Sequence, residues 1–272
     1  MVLPGSDVET YMCRMSDAHA SMMRVTELAY MTLSNWGQRG TTMEPQSARI
    51  REWLGPAPYL FATASKKHYE DQASLDRTIV EHIAPTASDR TVVEIRELDE
   101  LIRDDATISH AITVLRPFEE RDCDLLAELV RGGHLEKLFV IVHHENYPIR
   151  IWLDAMGATD LHSGTVADVL SPVLLQAAES IKSEDYNGLS SGRGKDAIVQ
   201  LVRAFAPHGY PVDPVLWMRA YFAVGGSFRG AADISKLVTE MQRGVRHRVK
   251  PRYRDEIYDI LLARIDEEDG AV

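Results

Sequence analysis

Two imidazoles and a carboxylate, His143-His144-Glu145, stand directly after the apolar run Leu138-Phe139-Val140-Ile141-Val142. A strand ending in such a cluster delivers groups able to move a proton, so His143, His144 and Glu145 are the candidate catalytic residues. Successive side chains of an extended chain point to opposite sides, so the two histidines do not face one ion on regular backbone, and no metal site is predicted. The plainer alternative is a polar loop that caps the strand.

Other strand ends carry charge as well. Ser65-Lys66-Lys67-His68 follows the run Tyr59–Ala64, while Arg96-Glu97 follows Thr91–Ile95 and Arg116 follows His110–Leu115. Lys66 and Lys67 are candidate phosphate ligands through their side chains, because no GxGxxG loop follows the first run. Between Gly188 and Lys195 the chain has the outward look of a phosphate loop. Five residues instead of four separate Gly188 from Gly194-Lys195, however, and Asp196 stands where a Ser or Thr would hold magnesium. ATP hydrolysis by that route is excluded, leaving Arg193 and Lys195 as candidate anion contacts at a helix start.

The strongest local signal is basic. From Gly188 to Arg254 there are twelve Lys and Arg against four Asp and Glu, a local charge of +8 in a chain of net charge −11. Arg243, Arg246, Arg248, Lys250, Arg252 and Arg254 crowd its end, with Val245, His247, Val249 and Pro251 between them. On an extended backbone Arg246, Arg248 and Lys250 share one side at intervals of about 7 Å, close to the phosphate spacing of a single nucleic-acid strand. The alternative is a basic surface strip folded back onto the acidic N-terminal half of the same molecule.

These groups must be positioned by elements the sequence announces. Val8–Trp36 has apolar residues at three- and four-residue intervals and predicts a long N-terminal helix, rich in methionine and suited to pairing with a second copy. A shorter helix follows at Pro45–Leu54, and Gly55-Pro56-Ala57-Pro58 breaks the chain. Apolar runs then alternate with helical spacings such as Leu75–Ile83 and Asp122–Val130, the pattern of a parallel sheet with crossover helices. Leu138–Val142, apolar without alternation, is expected at its centre. Beyond Val166 the spacing is helical, beginning with Val166–Ile181; Asp213-Pro214 and Ser227 are predicted helix starts. The fold class is therefore α/β, a small open mostly parallel sheet with flanking helices. The expected division is 1–54 (N-terminal helices), 55–164 (α/β domain) and 165–272 (basic helical domain with an acidic tail).

Composition narrows the field. The 272 residues are 45% hydrophobic, enough to bury a core, and two isolated cysteines, Cys13 and Cys123, indicate neither a disulfide framework nor a zinc-thiolate site. No apolar run approaches the ~20 residues of a membrane helix and no signal peptide is apparent, so a cytoplasmic location is expected. Three function classes fit. The leading one is a nucleic-acid-associated protein that grips the phosphate backbone, with the α/β part regulatory. The second is an enzyme acting on a nucleotide or phosphorylated small molecule in a cleft at the strand ends. The third is an interaction module using the Met-rich helix. No cofactor is identified.

Overall fold

The computed structural model describes residues 26–35, 43–103 and 111–269. Seven strands form one sheet: β1 (Glu27–Thr32), β2 (Tyr59–Thr63), β3 (Arg90–Glu94), β4 (Ile112–Leu115), β5 (Lys137–Val142), β6 (Thr159–Asp160) and β7 (Thr165–Val166). Their order is β3-β2-β4-β5-β1-β6-β7, and every pairing is parallel except β6 with β7. The run Leu138–Val142 lies between two parallel neighbours, β4 and β1, and its five side chains are fully buried. Each such side chain contributes roughly 1.5–3 kcal/mol by leaving water.

One expectation is corrected here. Glu27–Thr32 is a strand, not part of a helix, and it pairs along its whole length with β5. Residues 8–25 of the expected Val8–Trp36 helix, and with them its proposed pairing surface, lie outside the described residues. Met31, counted among the methionines of that helix, is a fully buried core residue of the sheet. The sheet thus draws on chain before and after the Gly55 break.

Two layers of helix cover the sheet, and strand alternation decides which residues face each. Phe139 and Ile141 of β5 join Met31, Phe61 and two helices, α1 (Glu44–Leu54) and α3 (Leu75–Ile83), on one face. Leu138, Val140 and Val142 face the other way, onto α5 (Glu120–Arg131) and α6 (Pro148–Ala155). Two short helices, α2 (Lys66–Glu70) and α4 (Asp99–Arg103), sit in the connections.

The C-terminal part is helical and shares the second core: α7 (Pro172–Lys182), α8 (Gly192–Phe205), α9 (Pro214–Ala223), α10 (Phe228–Gln242) and α11 (Ile257–Asp269). Proline begins α7 at 172, so the expected Val166–Ile181 helix loses its first six residues, the first of them, Val166, to β7. Asp213 accepts from the Val215 amide at 3.1 Å and Ser227 from the Gly230 amide at 3.0 Å, capping α9 and α10 at the expected starts. Trp152 of α6 meets Phe228 of α10 at 6.2 Å between ring centres, and Phe228 meets Phe222 at 4.8 Å, joining sheet and helical layer through aromatic packing. None of the described helices is long and apolar enough to cross a membrane.

Candidate functional site

The chain leaves β2 for β3 on one side and leaves β4 for β5 on the other. The helices in these two connections, α3 and α5, accordingly pack on opposite faces of the sheet. Between two such strands the loops at the carboxyl ends diverge and open a crevice, the place where open α/β sheets hold their ligands. A cavity of about 420 Å³ lies there. Thr63, Ser65 and His68 enter it from the end of β2, Arg116 and Phe118 from the end of β4, and His143 and Tyr147 from the end of β5.

Arg116 is the best-fixed of these groups. Its backbone amide donates to the Ile141 carbonyl at 2.9 Å, extending the β4–β5 pairing by one residue. Its φ is +50°, a left-handed conformation that costs a non-glycine residue on the order of 1–2 kcal/mol. The side chain donates through Nε to Asp76 Oδ1 at 2.6 Å, and Asp76 is almost fully buried. Thr63, also buried, donates to the other carboxylate oxygen at 3.3 Å. The pair therefore locks the guanidinium at the strand end. Asp76 offsets much of the arginine's charge at a distance, so Arg116 acts at contact range, as an oriented planar donor.

Imidazoles complete the wall. His143 is exposed and its ring centre lies 5.7 Å from that of Tyr147, while His68 follows Ser65, whose hydroxyl accepts from the His68 amide at 3.4 Å. Phe118 is 62% exposed, an unusual state for so large an apolar side chain. The remaining surface is largely apolar, with Ala64 and Leu115 beside these polar groups. A concave, mostly apolar site with a few placed donors is the usual form of a small-molecule site.

The other candidates fall elsewhere. Lys66 donates through Nζ to both carboxylate oxygens of Glu97 at 2.9 Å, and that ammonium holds the Glu97 carboxyl below its usual range. Lys67, His144 and Glu145 are exposed and do not line the crevice; His144 only leans towards Tyr147, with ring centres 6.3 Å apart. The apolar run ending at Leu115 marks Arg116 as a strand-end residue but announces no partner for it. Its partner, Asp76, lies forty residues earlier on α3 and carries no local signal.

In the Gly188–Lys195 segment the glycine at 194 serves close packing. A methyl group on Gly194 would stand 2.7 Å from the Gly188 carbonyl oxygen, so glycine lets the loop lie against the start of α8. Arg193 pairs with Glu184 at 3.2 Å, and Lys195 lies half-buried on α8. Arg252 also pairs with Glu184, taking it out of the free basic strip.

The rest of the strip runs along α8 as chain that is neither helix nor strand. Gln200 donates to the Lys250 carbonyl at 2.9 Å and accepts from the amides of Arg252 and Tyr253 at 2.8 and 3.1 Å. Arg203 donates to the His247 carbonyl at 2.9 Å. Arg246, Arg248 and Lys250 are exposed, whereas His247 and Val249 between them are half-buried. Arg243, Arg246, Arg248, Lys250 and Arg254 form no ion pair among the described residues. Of the six bases of the strip, Arg252 is the one with an ion pair among the described residues, to Glu184.

In comparison with known proteins the chain matches no family model, no curated protein and no solved structure. Fold and site geometry thus carry the functional reading alone.

Proposed function

We propose that the crevice between β2 and β4 binds a nucleotide or another phosphorylated small molecule, and that His143 and His68 transfer protons to or from it. The observation that supports this reading is Arg116: a strained, non-glycine residue at the point where strand connections diverge, held by a buried carboxylate with its guanidinium on the cavity wall. A phosphate accepts two parallel hydrogen bonds from such a planar donor. Tyr147 and Phe118 supply ring faces against which a base stacks. Calorimetric titration of the whole chain with nucleoside monophosphates and inorganic phosphate tests it. Saturable one-to-one binding is expected, weakened about tenfold in His143→Ala, the loss of one charge-assisted hydrogen bond of ~1.4 kcal/mol. Binding unchanged in both His143→Ala and Arg116→Lys contradicts the reading.

A second reading has its own support. Five cations that form no ion pair among the described residues, on a segment pinned to α8 by Gln200 and Arg203, make a surface that fits the phosphates of a nucleic-acid strand. Binding by fluorescence anisotropy would fall with salt at a slope of roughly −0.7 to −0.9 per phosphate engaged. Exchanging Arg246 and Arg248 for Gln would make the slope shallower by about 1.5 and weaken all sequences alike. No binding at low salt removes this reading.

A further inference from the structure

A second hollow, of about 360 Å³, adjoins the crevice. Phe118 and Tyr147 line both. Beyond these two rings the second hollow is walled by Pro117 and Cys123, by Pro148 and Ile149 at the start of α6, and by Phe228 and Ala232 of α10. Glu120 is its one charged lining residue. Burial, followed by the surrounding carboxylates of Asp122, Asp124, Glu119 and Glu120, pushes the Cys123 thiol well above its ordinary range, so this sulfur is a protonated, apolar wall and not a nucleophile.

The two hollows differ in chemistry in a consistent way. The crevice carries the arginine and both imidazoles, whereas the second hollow offers no cation and one acid. Its volume is more than twice the ~150 Å³ in which an apolar cavity takes a benzene ring. Phe118 stands exposed between them, and a molecule reaching across both hollows would pass over its ring.

We propose that the two hollows are one bipartite site whose ligand is an organic phosphate bearing an uncharged alkyl or aryl group. The phosphate lies at Arg116 and the histidines, the waist is formed by Phe118 and Tyr147, and the apolar group lies against Phe228, Ile149 and Cys123. Glu120 disfavours a second anion in the apolar hollow. This inference rests on the crevice being the phosphate site, and it adds the class of substituent attached to that phosphate.

The test is calorimetry on the whole chain with methyl, butyl and hexyl phosphate, all below their micelle concentrations. Affinity should rise by roughly fourfold for each methylene buried, the equivalent of ~0.8 kcal/mol. Ala232 is exposed on α10, so Ala232→Trp places a ring in the second hollow without disturbing the core. That variant should bind methyl phosphate as the unaltered chain does and lose the gain with chain length. Methyl phosphate binding with no dependence on chain length overturns the bipartite site and leaves the crevice reading standing. Equal loss of all three ligands in Ala232→Trp, with its unfolding midpoint unchanged, also overturns it. Absence of binding by every phosphate removes both.

Discussion

Arg116 and Asp76 show how one ion pair does two things. Asp76 is nearly sealed from water, and a carboxylate there is tolerable only with a partner and hydrogen bonds, which Arg116 and Thr63 supply. Removing the arginine strands the acid. Arg116→Ala should therefore destabilise the chain by about 3 kcal/mol, the low end for breaking a buried pair, since the arginine side chain is 22% exposed. Asp76→Asn should cost less, because the released guanidinium reaches water. Urea unfolding of both variants measures this, and equal costs would mean that Asp76 is better hydrated than its burial implies. At this scale the sequence is half informative. The strand-end position of Arg116 was legible from the apolar run before it, but the acid that fixes it is separated by forty residues and two strands.

Among elements, buried tyrosines join parts of the chain that are distant in sequence. Tyr30 on β1 donates to Asp154 of α6 at 2.8 Å, and Tyr221 on α9 donates to Asp185 at 2.5 Å, with Ser227 donating to the same carboxylate oxygen at 3.1 Å. The turn is shaped around the second ring: a methyl group on Gly226 would stand 2.2 Å from Tyr221 Cε1, and one on Gly230 2.2 Å from its hydroxyl. Both phenols are pushed well above their ordinary value, first by burial and then by the hydrogen bond to the carboxylate. A raised value means that the folded state keeps its proton after the unfolded chain has begun to lose it. The associated stability is complete below the unfolded value of about 10 and is lost as pH rises above it. The urea midpoint should thus fall between pH 9 and 11, and less steeply in Tyr30→Phe and Tyr221→Phe. An identical pH slope in the variants would place the alkaline loss in other groups.

Element identity was largely legible where local signals were strong. The β5 run, the Leu75–Ile83 helix and the Asp213 and Ser227 caps stand where periodicity and capping put them. β1 was hidden for two physical reasons. Glu27, Leu28, Ala29 and Met31 are good helix formers, and a strand covered on both faces has no polar side to reveal a period of two. Partners 110 residues away along β5 decided its conformation against that local preference.

For the whole molecule, the question is which of two surfaces meets the ligand. The crevice lies at the strand ends and the free basic strip lies along α8, held by Gln200 and Arg203. Where strands diverge depends on their order in the sheet, so the crevice could be anticipated from sequence only as a list of strand-end residues. The alternation of bases in the strip, by contrast, was visible directly. The most direct measurement is an amide and imidazole chemical-shift titration of the isotope-labelled chain with a nucleoside monophosphate. The crevice account predicts shifts concentrated at Thr63–His68, Leu115–Phe118 and His143–Tyr147, saturating together with one dissociation constant. Shifts confined to residues 243–254, with the strand ends silent, would contradict it.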